Sequence, residues 1–322
     1  LPGVGPYPFH GSPWGKFAFP LLDSPRRVPH IGGMNIPPQP WPVGLADPLE
    51  PLVRRVLCAN PSPFTYTGTQ TYIVGNGDGV AVIDPGPDDA GHLEALAATI
   101  GSAPVVAIAC THTHRDHSPA AAPLAALTGA PVIGCPPLTL DDDGPRADAA
   151  FDAAYRPDRV LGDGERIEGP GWTLTALATP GHTSNHLCFA LEETGAVFTG
   201  DHVMGWSTTV VAPPDGDMAD YMASLDKLHA REDRVFYPAH GPQVDKPRQL
   251  VRGMIGHRRQ RERQILTLLA EGPQRVTDMV PRMYKGVGEH LWPAAGRSVL
   301  AHLIDLERRV LAAGDGEVWR AI

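Results

Sequence analysis

The sequence predicts an α/β protein in which strands stack into sheets with helices outside, followed by a smaller helical module that ends in a short wing. Three observations carry this. From Thr71 onward, short apolar runs alternate with segments of helical spacing. VVAIAC at 105–110 is an unbroken apolar run, the mark of a strand covered on both faces. Near Asp245 the charge changes sign: residues 246–322 hold 14 Lys plus Arg against 8 Asp plus Glu, so the −9 of the whole chain leaves −15 for residues 1–245.

The first fifty residues contain twelve prolines, which remove backbone donors and oppose regular structure. Residues 1–50 are therefore read as an extended arm whose Tyr7, Phe9, Trp14, Phe17, Phe19 and Trp41 pack along the body or a partner subunit. In the body, residues 51–245, TYIV at 71–74 and VAVID at 80–84 read as strands joined by a GNGDG turn. Asp88 is the expected cap of a helix running to Gly101. The strand at 105–110 precedes a helix from Pro119 to Leu127 and a strand at 131–134, and a long excursion occupies 136–157. Strands are expected at 172–178, 186–191, 196–200 and 234–238, with a helix from Met218 to Ala230. In the tail, 246–322, helices are expected over 248–270, 277–284 and 296–312, and a wing strand over 317–322, a helix-turn-helix with a wing.

With 42% hydrophobic and 20% charged residues the composition is that of a globular protein, and neither a Gly-X-Y period nor a sustained heptad is present. No stretch approaches the roughly 20 apolar residues that cross a bilayer, and the first residues lack a signal-peptide pattern, so the expectation is a cytoplasmic chain with no membrane partner. Cys58, Cys110, Cys135 and Cys188 form no CxxC pair and are read as free, buried thiols in a reducing compartment.

The chemistry concentrates at strand ends. Thr111-His112-Thr113-His114-Arg115-Asp116-His117 follows directly on the buried strand, where a loop can splay four candidate ligands so that His112 and His114 reach one ion while Asp116 and His117 turn to another. His182 in TPGHTSNH, Asp201 in TGDH and His240 in PAHG stand at comparable positions further on. Imidazole with carboxylate suits zinc and related divalent metals. Asp84 in VIDPG is read as a carboxylate that accepts the free ring N–H of a ligand histidine. His186, His202, Arg115, Tyr66 and Thr67 lie near the site in sequence and are read as structural.

Together Asp84, THTHRDH, His182, Asp201 and His240 resemble the five motifs of the metallo-β-lactamase superfamily, over roughly residues 65–245. The resemblance implies a four-layer αββα sandwich. It also implies that His112, His114 and His182 hold a first metal, that Asp116, His117 and His240 hold a second, and that Asp201 bridges them. The tail, with HRRQRERQIL at 257–266, MYKG at 283–286 and AAGRSVLAHLIDLERR at 294–309, resembles the winged-helix extension of the β-lactamase-like protein 2 group over about 75 residues. Antibiotic-degrading relatives usually have Cys or Ser where Asp201 stands; the carboxylate resembles glyoxalase II, lactonase and ribonuclease relatives instead.

The leading expectation is a hydrolase using two divalent ions, zinc first with iron and manganese as alternatives, and a metal-bridging hydroxide to cleave an ester, thioester or lactone of a small molecule. Asp116 is expected to orient that hydroxide or pass on its proton. Two other readings stay open. One is a single-strand endoribonuclease whose basic helix, His257–Arg263, grips RNA. The other is a winged-helix nucleic-acid-binding regulator with a vestigial hydrolase domain. An oxidative relative with a single iron and a homo-oligomeric state are likewise left open.

Overall fold

The computed structural model describes residues 42–138, 151–286 and 288–322. The arm's aromatic residues up to Trp41 and the DDDG turn at 141–144 lie outside the described residues. The first sheet is built from β1 (Ala46–Glu50), β2 (Val53–Leu57), β3 (Gln70–Asn76), β4 (Gly79–Ile83), β5 (Val105–Cys110), β6 (Val132–Gly134) and β7 (Arg159–Val160), in that spatial order. Its first four strands run antiparallel and its last four parallel. Helices α1 (Ala90–Ile100) and α2 (Ala121–Thr128) cover the outer face through Leu96, Ile100 and Leu124. The second sheet, order β12–β11–β10–β9–β8, comprises β8 (Arg166–Gly169), β9 (Trp172–Ala178), β10 (Leu187–Leu191), β11 (Ala196–Gly200) and β12 (Val235–Pro238), and α3 (Met218–His229) lies on its far side.

Alternation along the second sheet sets the layers. Phe189, Phe198 and Tyr237 point into the core shared with the first sheet, while Cys188, Val197 and Phe236 point into a second core beneath α3. The result is the four-layer αββα sandwich. β4 is buried throughout and β5 over its last four residues, as parallel strands between two covered faces must be.

The tail contains α4 (Pro247–Ala270), α5 (Val276–Met283) and α6 (Trp292–Arg308), with a three-stranded antiparallel wing, order β13–β15–β14, from β13 (Gln274–Arg275), β14 (Ala312–Gly314) and β15 (Val318–Ala321). α4 serves two cores. Leu250, Val251, Met254 and Ile255 pack beneath the second sheet with α3, whereas Ile265, Leu268 and Leu269 join Met279, Val299, Leu303 and Trp319 in the core of the tail.

Several local expectations shift. The arm was expected to run to residue 50, but 46–50 is already β1, antiparallel to β2; Pro48 is tolerated because β1 is the outermost strand. Asp89, not Asp88, caps α1, its carboxylate accepting the His92 N–H at 2.7 Å. The last helix begins at Trp292, four residues early, because Pro293 fits its first turn. It also ends at Arg308 instead of reaching 312. Val310 adopts φ 58°, and the N–H groups of Val310 and Leu311 donate to Glu307 and Leu306, the 5→2 and 6→1 bonds of a Schellman motif. β7, β8, β13 and β14 are short pieces at or near sheet edges that no sequence period announced. All four cysteines are buried and free. Among the described residues no helix is long and apolar enough to cross a membrane.

The ends of both sheets meet at one place. The Leu187 N–H donates to the Thr111 carbonyl at 2.8 Å, the Gln70 N–H to Ala239 at 2.8 Å, and the Tyr72 hydroxyl to Pro238 at 2.7 Å, stitching the first sheet to the second beside the histidine-bearing loops.

Deep in the tail, His302 is 2% exposed and neither ring nitrogen makes a hydrogen bond. Burial, reinforced by the positive charge of Arg258, lowers its pKa to about 3. The folded chain thus keeps this ring neutral where the unfolded chain, near 6.5, accepts a proton. Stability present above about pH 6.5 is lost as the pH falls from there toward 3. Denaturant unfolding between pH 7 and 4 should show His302→Leu flattening the slope by up to about 1.4 kcal/mol per pH unit. A variant as acid-sensitive as the native chain would contradict this origin.

Candidate metal centre

Five loops, each following a strand, deliver the candidate ligands. β4 leads to Asp84, β5 to His112–His117, β9 to His182, β11 to Asp201 and β12 to His240. Two of these loops require glycine. Gly181 has φ 134° and a Cβ there would stand 2.3 Å from the Tyr221 Cα, so the turn before His182 lies directly on α3. At Gly200 a Cβ would stand 2.7 Å from both His186 Nε2 and Thr111 Oγ1, which lets Asp201 enter the space between the sheets.

The side chains converge as two adjoining groups, His112, His114, His182 and Asp201 in one and Asp116, His117 and His240 in the other, the candidate ligand atoms in each lying within 4.8 Å of one another. His114 Nδ1 lies 3.0 Å from His112 Nε2 and 3.1 Å from His182 Nε2, and Asp201 Oδ2 lies 3.6 Å from His182 Nε2. In the second group, His240 Nε2 is 3.1 Å from Asp116 Oδ2 and His117 Nε2 is 3.5 Å from it. Asp201 also reaches this group, its oxygens 3.3 Å from His240 Nε2 and 3.7 Å from His117 Nε2. A tetrahedral zinc with bonds of about 2.0–2.1 Å would hold its ligand atoms about 3.3 Å apart, a spacing close to the separations seen here. The buried Nε2 atoms of His117 and His240 and Oδ1 of Asp201 make no hydrogen bond, as atoms reserved for a cation would not. A buried set of imidazoles and carboxylates therefore fits divalent metal ions.

Outside the two groups, hydrogen bonds fix which nitrogen of each ring faces inward. Asp84 is the hub. Its Oδ1 accepts the Thr111 N–H at 2.7 Å, and its Oδ2 accepts the Thr111 hydroxyl at 2.7 Å and His117 Nδ1–H at 3.0 Å. The Thr111 oxygen, its proton committed to Asp84, accepts His112 Nδ1–H at 3.0 Å. One carboxylate thus orients a histidine in each group, one directly and one through a hydroxyl. Asp84 holds φ 49°, a conformation that costs about 1–3 kcal/mol for a residue with a Cβ. Its N–H to Ala109, at 2.8 Å, and its carbonyl, which accepts Thr71 Oγ1–H at 2.7 Å, secure that geometry. His182 Nδ1–H donates to the Val210 carbonyl at 2.7 Å and His240 Nδ1–H to Gly68 at 3.3 Å.

The charges are complementary. Burial, with the neighbouring His117, His114 and His182 adding to it, holds His112 well below the ordinary imidazole range and so neutral, the form that binds a metal. Burial by itself would raise Asp116 and Asp201, but the facing His117 and His240 outweigh it and both carboxyls sit below their usual range. Burial by itself would lower His117 and His240; the same carboxylates outweigh it, lifting His117 well up and His240 to about 9. A field that holds protons on these rings also attracts cations to the space between them.

Every candidate ligand named from sequence, and Asp84, therefore lies in one constellation. His186 lies beside it, accepting the Asp201 N–H at 3.3 Å, and His202 is buried with its ring 4.8 Å from Tyr221. Arg115 is exposed. The excursion returns to the site at Phe151 and Asp152, the latter donating its N–H to the Thr113 carbonyl at 2.6 Å. Thr111 and the Thr209–Val210 backbone escaped sequence reasoning; Thr111 borders the histidine motif, but nothing in the residue types at 209–210 advertises a carbonyl acceptor. Tyr66 stacks on Trp206 at 4.9 Å, and Trp206 packs against Gly241, so this aromatic pair walls the His240 side. The basic stretch is turned largely inward: His257, Arg258 and Arg261 are buried, leaving Arg259 and Arg263 exposed.

Comparisons with known proteins agree with this geometry. Residues 65–240 match the metallo-beta-lactamase superfamily and residues 276–319 the beta-lactamase associated winged helix domain. A beta-lactamase-like protein 2 homolog of Drosophila melanogaster is 30% identical over 291 residues, covering 83% of this chain and 93% of the relative. An atrochrysone carboxyl ACP thioesterase of Claviceps purpurea (strain 20.1) is 32% identical over 278 residues, covering 84% of this chain and 83% of the relative. The crystal structure of a beta-lactamase domain protein from Burkholderia ambifaria has the same fold, with a TM-score of 0.72 at 20% identity over 87% of this chain and 94% of that one. Sandwich, ligand constellation and family match together show that the chain belongs to the metallo-beta-lactamase superfamily and carries the winged helix domain associated with it.

Proposed function

We propose that the chain is a hydrolase that holds two divalent metal ions, zinc by the chemistry of its donors, and cleaves a small acyl thioester, with esters and lactones as related substrates. The observation that carries this reading is the sharing of Asp201 by two adjoining groups of ligand atoms. When bound, such a metal pair supplies a water acidified toward neutrality and a Lewis acid for the carbonyl oxygen. The chain does the rest. His112, His114, His182 and Asp201 would hold the first ion, and Asp116, His117 and His240 with Asp201 the second.

Asp116 is the most exposed of these side chains, at 16%, which places it at the mouth of the site. The facing His117 and His240 keep its carboxyl ionised, so its oxygens can accept a hydrogen bond from a water and orient it. Among the described residues, no lysine or uncommitted histidine joins these ligand groups to protonate a leaving group. A thiol, with a pKa near 8.5, departs as thiolate without such help, whereas an amine leaving group needs a proton. The printed name of the Claviceps relative points to the same bond class. Tyr66 and Trp206 offer an apolar wall for the acyl portion.

Thioester hydrolysis, followed by release of free thiol, should fall at least about 100-fold on chelation and return when zinc, iron or manganese is restored. Undiminished turnover without metal would overturn the reading. Asp116→Ala should lower kcat by about 10²–10⁴-fold, with a smaller change in KM. Asp84→Asn should weaken both metals by about 10–100-fold in competition with a chromophoric chelator, whereas Thr111→Val should weaken chiefly the first. Equal effects of Thr111→Val on the two metals would refute the separate support of His112.

A further inference from the structure

Arg258 has surroundings that the fold alone does not require. It lies on α4, in the part of the helix where the two cores meet, and it is 2% exposed. Among the described residues its partners are a backbone carbonyl, a hydroxyl and an aromatic face, not a carboxylate. One guanidinium nitrogen donates to the Thr209 carbonyl, another to Ser298 Oγ on α6 at 3.2 Å, and the group lies 5.1 Å from the centre of the Tyr221 ring. A buried cation held only by neutral groups is expensive, and an apolar side chain of similar volume would fill the same position in a helix interface at less cost.

The destination of its bonds gives the reason. The Thr209 hydroxyl donates to the Asp201 carbonyl at 2.8 Å and to the His202 carbonyl at 2.9 Å. The next residue, Val210, supplies the carbonyl that receives His182 Nδ1–H at 2.7 Å. The Tyr221 hydroxyl, on the ring that Arg258 covers, donates to the His202 carbonyl at 3.2 Å. Thr209–Val210 is thus held from one side by Arg258 and on the other holds Asp201 and His182, both members of the first ligand group. Arg261, three residues on and also buried, is the internal comparison. It donates to the Met283 carbonyl and Gln264 and lies over the Tyr284 ring, all of them in the tail.

We infer that Arg258 is a positioning residue of the metal centre, acting through Thr209–Val210 on Asp201 and His182, so that the winged-helix module is a structural part of the first metal site. The inference rests on the metal-dependent reading above. Divalent metal is titrated into full-length apoprotein against a chromophoric chelator, with the absorption spectrum of bound cobalt as a second readout. Neither requires turnover. Arg258→Met should weaken the first equivalent by about 10–100-fold and alter the cobalt spectrum, with Arg258→Lys recovering part of the loss. The second equivalent should change by much less. Arg261→Met should lower the stability of the tail with native metal affinity, and the exposed Arg259→Met should change nothing. If Arg258→Met does not fold, Thr209→Val carries the test from the other end of the linkage, with the same loss at the first equivalent expected. Native affinity in Arg258→Met or Thr209→Val, or an equal loss in Arg261→Met, would overturn the inference while leaving the hydrolase reading intact. A native chain that binds no divalent metal would overturn both.

Discussion

Two carboxylates and five imidazoles withdrawn together from water set the constraint from which the rest of the structure follows. A lone buried charge would be neutralised or expelled, so these groups are tolerated only because each faces a partner of opposite or complementary character. Asp116 and Asp201 oppose His117 and His240, while His112 stays neutral. Holding that balance needs loops placed to fractions of an ångström, and hence two sheets whose strand ends are tied together by direct hydrogen bonds. The sandwich can be understood as the scaffold that this electrostatic arrangement demands.

The outer layer of bonds shows how little is left to chance. Each of His112, His117, His182 and His240 directs its Nδ1 outward to an oxygen, leaving Nε2 for the interior. Fixing the ring orientation in this way is itself a contribution to affinity, since no ring has to turn before it binds. Asp84 concentrates the effect because its two oxygens serve both groups at once.

The legible part of this site was the part carried by side-chain identity. THTHRDH, TPGH, TGDH and PAHG expose their ligands because histidine and aspartate are rare enough, and placed consistently enough at strand ends, to stand out. What could not be read is carried by the backbone: the carbonyls of Val210 and Gly68 belong to residues whose type is irrelevant to their role. Likewise β1 was hidden by its proline, because an edge strand obeys weaker rules than a central one, and the end of α6 was hidden by a valine in a conformation usually left to glycine. The basic run at 257–263 left its orientation open for a different reason. Composition reports how many charges a helix carries but not which way each points, and the buried arginines face the protein.

The double allegiance of α4 has a consequence for how this architecture can be inherited. Its first half is core to the catalytic body and its second half is core to the winged helix, so the turn at Lys246 where the chain changes character is not a seam. A recombination event, natural or engineered, that exchanges C-terminal parts between relatives would leave the body intact only if the crossover fell after Ala270. A crossover there passes α4 on whole, with Arg258 and its bond to the Thr209 carbonyl, and frees the segments beyond it to diverge.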